Sequence, residues 1–175
     1  NTAPPSTWVP STGWELTVYY TAVESYHDGA RSRISGCLDL HCRSSGVIGD
    51  YPSSFSAAVK NEGTGRITSG SNAGKYLNWS YDVGYWLDTA PRDSYGNALV
   101  PDVSAAADAS AMPRGTLFRV TDCGRNIDAA FCTQVKQANW KITDEFTPGL
   151  GGTRHLDLYI GEEDMPDFTD RSPKY

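Results

Sequence analysis

Short β-prone runs recur along this chain, each closed by Gly, Pro, Ser or Asn/Asp punctuation, with little room between them for helix. Trp14 to Glu24 is dense in β-branched and aromatic side chains and predicts a strand. Lys75 to Leu87 predicts another, bent at Gly84, and shorter runs follow the same logic at 65–68, 103–107, 116–121, 139–143 and 154–160. One helix is expected, starting near Asp50-Tyr51-Pro52-Ser53, with Phe55, Ala58 and Val59 as its apolar stripe and Gly63 as its stop. Residues 25–49 read as a long loop. Strands without intervening helices favour an all-β barrel or sandwich over an α/β layer fold. The expectation is an extended lead-in at 1–13 and one domain at 14–175, a length that buries a core unaided. The acid-rich tail after Gly161 reads as a solvated end, pinned by Met165 and Phe168.

Four cysteines fall in two close pairs, Cys37/Cys42 and Cys123/Cys132, and neither has the Cys-x-x-Cys spacing of a zinc ribbon or redox motif. Of three possible pairings the local one is favoured, because each bridge then ties off a loop poor in core residues. The bland alternative is four free thiols. Disulfides imply an oxidising compartment, so a secreted protein is expected, its leader already removed ahead of Asn1. The net charge of −6 argues against nucleic acid as a partner. No apolar run is long enough to span a bilayer. A monomer is expected. Ten tyrosines and five tryptophans beside five phenylalanines supply rings with polar handles, suited to sugar faces or simply to aromatic strands.

The segment Arg154 to Ile160 alternates: Leu156, Leu158 and Ile160 share one face, and His155, Asp157 and Tyr159 the other. With the leucines inward, Asp157 stands on a polar face, a setting for a carboxyl group that transfers a proton. Asp144 ends the run from Trp140, and the Gly-rich turn 148–152 predicts a hairpin that brings Asp144 beside Asp157. Neighbouring carboxylates repel as anions, which raises one pKa and keeps an acid protonated near neutrality. No Asp-x-Asp-x-Asp-Gly loop is present, and no metal or cofactor is expected.

Three stretches together carry a resemblance. They are Ala106-Ala107-Asp108 running to Pro113-Arg114-Gly115-Thr116, then Thr143-Asp144, then His155-Leu156-Asp157-Leu158-Tyr159. This pattern, over residues 104–161, resembles the three-aspartate (3D) domain family, and the run from Thr17 to Ala22 is similar to that family's opening strand. The resemblance implies a six-stranded double-psi β-barrel, shared with lytic transglycosylase A, expansins and family 45 endoglucanases. It also implies that Asp157 is the catalytic acid, with Asp144 and Asp108 orienting it and tuning its pKa.

Candidate substrate contacts are Tyr20 and Thr21 on the opening strand and His155 beside Asp157. To these are added Glu62 and Arg66 in a polar, glycine-punctuated stretch, and Trp79, Tyr81, Asp82, Tyr85 and Trp86 on the most aromatic segment. For about half of these rings a core position is the competing reading. With the resemblance, these residues lead to the expectation of a peptidoglycan-cleaving enzyme of the lytic-transglycosylase kind, its partner a cell-wall polysaccharide (peptidoglycan or β-glucan). The alternatives are a glycan hydrolase on the same barrel, with Asp144 or Glu62 as base, and an expansin-like module that binds without cleaving.

Overall fold

The computed structural model describes residues 8–146 and 151–175. Among these residues the chain is mostly β, with ten strands, three short α-helices and two disulfides. Both disulfides are the local ones, Cys37–Cys42 and Cys123–Cys132. No helix among the described residues is long and apolar enough to cross a membrane.

The packing divides the chain into two compact units. The first runs as far as Tyr19 and continues through Val100–Ile160 and Pro173–Tyr175. The second is Tyr20–Leu99 with Gly161–Ser172. Two strands, β1 (Glu15–Val23) and β10 (His155–Glu162), contribute residues to both.

In the first unit the hydrogen-bonded order is β1-β10-β7-β9-β8, with β7 at Ser104–Ala107, β8 at Leu117–Phe118 and β9 at Trp140–Asp144. The predicted alternation on β10 is present, since Leu156 and Leu158 are buried among Ala105, Ala107, Trp140 and Ile142, with Ile160 packed against them. Leu16 and Val18 of β1 join the same core. A helix the pattern missed, α2 (Ala129–Gln137), closes it with Phe131 and Val135. Its cue is ordinary. Asp128 accepts from the Phe131 amide at 2.9 Å as an N-cap, and the two buried residues are four apart. The Cys123–Cys132 bridge runs from the preceding loop into this helix.

In the second unit, β2 (Arg31–Cys37) and β3 (Ser45–Pro52) form an antiparallel hairpin where a loop is expected. Most of their side chains are exposed and many are Ser, Gly or Arg, so apolar periodicity carries no signal there. The predicted strand at 75–87 is instead a hairpin of β5 (Tyr76–Ser80) and β6 (Gly84–Asp88). Helix α1 (Ser53–Glu62) forms as predicted and ends at Gly63, which takes the left-handed φ of 100° at the C-cap. Its Phe55 and Val59 close so tightly over Gly65 of β4 (Thr64–Arg66) that a Cβ there would meet them at 2.8 and 2.4 Å.

The tail after Gly161 is packed rather than solvated. Phe168, on the short α3 (Phe168–Arg171), is buried against Tyr20 with ring centroids 4.7 Å apart. Glu163 is also buried, and accepts from the Val23 amide and from His27 Nε2. The His27 Nδ1 meets Ser54 Oγ at 2.9 Å, so the tail is bonded through His27 to the first turn of α1.

Candidate active site

The registers of β7 set the site. Ala106 is paired with Asp157 on β10 and with Asp144 on β9. Directly paired residues point to the same side of a sheet, so both carboxylates leave the face opposite the core, with only a methyl group between them. Neighbouring strands are about 4.8 Å apart, which separates the two aspartate backbones by about 10 Å. The hairpin expected between Asp144 and Asp157 does not form, because β7 lies between their strands and pairs with both. Most of the predicted turn lies outside the described residues.

Asp144 reaches this face only through a β-bulge. Ala105 pairs with Ile142 and Ala106 with Asp144, so Thr143 is the extra residue. Strict alternation from the buried Trp140 and Ile142 would turn Asp144 toward the core. One inserted residue reverses it, a common use of bulges beside functional sites.

Residues of β1 complete the arrangement. With Leu16 and Val18 in the core, Thr17 and Tyr19 face the acids. Thr17 Oγ1 donates to Asp157 Oδ1 at 2.8 Å and lies 2.6 Å from His155 Nε2. A hydroxyl has one proton to give, so His155 Nε2 carries the hydrogen in that second bond. The imidazole is stacked on Phe146 at 4.6 Å. Gly151 lies under the same phenyl ring, where a Cβ would sit 2.2 Å from it. Tyr19 donates to Asp144 Oδ2 at 3.2 Å and packs on Tyr159 at 5.3 Å.

The electrostatics separate these groups. Burial pushes Asp157 up to about 6; the Thr17 hydroxyl and His155 pull it down, and the charge of Asp144 adds to the rise. Burial and then the charges of both aspartates hold the Tyr19 phenol well above its ordinary value, so it remains a donor. Asp108 behaves differently. Its carboxylate accepts from the Ser110 hydroxyl at 2.6 Å and the Ser110 amide at 3.0 Å, which holds it below the usual carboxylate range. Asp108 is an ionised turn cap. The row can hold one protonated carboxyl group beside an anion, an arrangement suited to acid catalysis.

Asp144, His155 and Asp157 thus come together, whereas the remaining predicted contacts belong to the second unit. Tyr20 and Thr21 are buried, the latter bonded to Thr64 at 2.8 Å, because the outward positions of β1 in the first unit are Thr17 and Tyr19. The alternation of Leu16 and Val18 carried that signal. Trp86 is buried with Nε1 donating to Asp88 at 2.9 Å, and Tyr85 donates to the Ser56 carbonyl at 2.8 Å. Arg66 is paired with Glu162 at 2.9 Å, and Glu62 ends α1 half-buried. Asp82 accepts from Ser80, Trp79 is half-buried with the Lys60 ammonium 5.7 Å from its ring centre, and Tyr81 is 56% exposed. No group of three or more His, Cys, Asp or Glu suited to a metal ion occurs among the described residues.

No protein-family model matches the chain, and no curated protein matches it significantly in sequence. Solved structures do. A crystal structure of MltA from Escherichia coli, described as a unique lytic transglycosylase fold, aligns with a TM-score of 0.50 at 14% identity, over 91% of this chain and 68% of that one. An E. coli MltA point variant in an apo form gives 0.44 at 13% identity, over 85% of this chain and 65% of that one. Low identity leaves the sites to be argued from this chain's own residues, but the mostly β architecture is similar in fold to that of E. coli MltA.

Proposed function

We propose that the chain is an exported, glycan-cleaving enzyme of the lytic-transglycosylase kind, acting on peptidoglycan with Asp157 as its general acid. The observation that carries this reading is Asp157 itself, half-buried, raised to about 6 and set in one row with Asp144 across Ala106. Protonated Asp157 gives its proton to the bridging oxygen as the anomeric bond breaks. The resulting carboxylate takes the proton of the sugar's own C6 hydroxyl, whose oxygen closes on the anomeric carbon. The products are a new hydroxyl end and an anhydro ring, and Asp157 is protonated again. Asp144 supplies negative charge beside the developing cation, and Tyr19 orients it. Thr17 and His155 fix the Asp157 rotamer. Two disulfides, the fold likeness to MltA and the paired acids all support this reading.

Digestion of peptidoglycan with mass spectrometry of the fragments tests it. Anhydro-ended muropeptides are expected, and Asp157→Asn should reduce their release by about 10²–10⁴-fold. Fragments with only free reducing ends would refute the lytic route. The two-carboxylate row supports a second reading, inverting hydrolysis with Asp144 activating water, since acids of inverting enzymes stand roughly 6.5–9.5 Å apart. Reducing ends of inverted configuration, lost in Asp144→Asn, distinguish it.

A further inference from the structure

The second unit carries a separate concave site of about 310 Å³ that the aspartate chemistry does not use. Its polar lining is dominated by cations. Arg43 and Lys75 are exposed and carry no ion pair among the described residues. Arg92 is partly engaged, with Nε donating to Asp88 at 2.8 Å and Nη1 to the Gly96 carbonyl at 3.1 Å, which leaves Nη2 of its fork.

The two acids of the pocket serve the protein itself. Asp39 accepts from the amides of His41 and Arg43 at 2.9 and 3.3 Å, folding the Cys37–Cys42 loop into shape. Burial alone raises Asp88, but bonds from Trp86, Arg92 and the Thr89 amide outweigh it and hold that carboxyl below its ordinary value. Three cations then face two carboxylates already engaged, within a chain whose net charge is −6. Leu38, Leu40 and Leu87 supply apolar wall beside the charges. A fully hydrated inorganic anion gains nothing from such a wall, whereas an aliphatic stem ending in a carboxylate uses both parts. Guanidinium groups match the planar carboxylate fork.

We propose that this pocket binds the free carboxylate end of a short peptide bearing small aliphatic side chains. The site stands on its own residues and holds whether or not Asp157 cleaves glycan.

Titration of the intact protein with N-acetyl-alanyl-alanine, followed by calorimetry or amide chemical shifts, tests it against the C-terminal amide of the same peptide and against inorganic phosphate. The acid is expected to bind, with shifts at residues 38–43 and 87–92, and the amide about tenfold or more weaker, since a charge-assisted bond is lost. Affinity should fall with added salt. Arg43→Gln and Lys75→Gln, both at exposed positions, should each weaken the acid severalfold with an unchanged melting curve. Equal binding of acid and amide, or phosphate binding as tightly as the peptide acid, would overturn the proposal. So would an absence of binding at millimolar peptide, or affinity unaltered in both variants.

Discussion

At the scale of single residues, Asp157 gives up stability for a usable proton affinity. An aspartate unfolds with a pKa near 3.9 and here is held at about 6, so between those values the native state binds a proton that the unfolded chain has lost. The stabilisation is full below pH ~4 and disappears as pH rises through about 6, a loss of about 2–3 kcal/mol. Asp157→Asn keeps an oxygen for Thr17 but cannot ionise. Urea titrations should therefore find it more stable than the natural chain at pH 7, by about 2 kcal/mol, with the gap closing near pH 4. Activity requiring the protonated form should fall as pH rises above about 6. Thr17→Val removes a bond that lowers Asp157, so its kcat/KM profile should show that limb displaced to higher pH.

Among elements, β7 and β9 do most to create the site. Small residues at Ala105, Ala106 and Ala107 let β9 and β10 present acids on one side while Trp140, Ile142, Leu156 and Leu158 fill the other. Beyond the bulge, the Phe146 ring lies over Gly151 and stacks on His155. Gly151→Ala should cost about 1–3 kcal/mol by forcing that ring away, measurable as a lower Tm together with changed chemical shifts of the His155 imidazole, which loses its ring stacking. Alternation on the last strand was readable from the sequence, since leucines two apart leave Asp157 no other face. The bulge was not, because Thr143 carries no mark that distinguishes an inserted residue from a paired one. Hairpin β2–β3 was missed for want of apolar periodicity. Helix α2 was missed although a capping aspartate and two apolar residues one turn apart announced it.

For the molecule as a whole, the cysteine spacing was informative, since the local pairing it favours is the one that forms. Closing loops of this size contributes about 2–3 kcal/mol each. Replacing Cys123 and Cys132 by alanine should lower the unfolding free energy by about that amount, read from denaturant titrations, while leaving peptide-acid binding at Arg43 and Lys75 intact. Replacing Cys37 and Cys42 should weaken that binding, since their bridge shapes the loop that presents Arg43. The division into two units was not legible, because β1 and β10 each run through both without punctuation at the boundary.

The bulge at Thr143 bears on how distant kin of this chain are to be judged. Its contribution is a count rather than a chemical group. A relative with one position fewer between the tryptophan and the aspartate of β9 would need no bulge, because plain alternation already turns its second carboxylate to the side opposite the tryptophan. In such lineages a one-residue gap here would leave the acid row intact, whereas a relative of full length that paired this strand without the bulge would bury the acid.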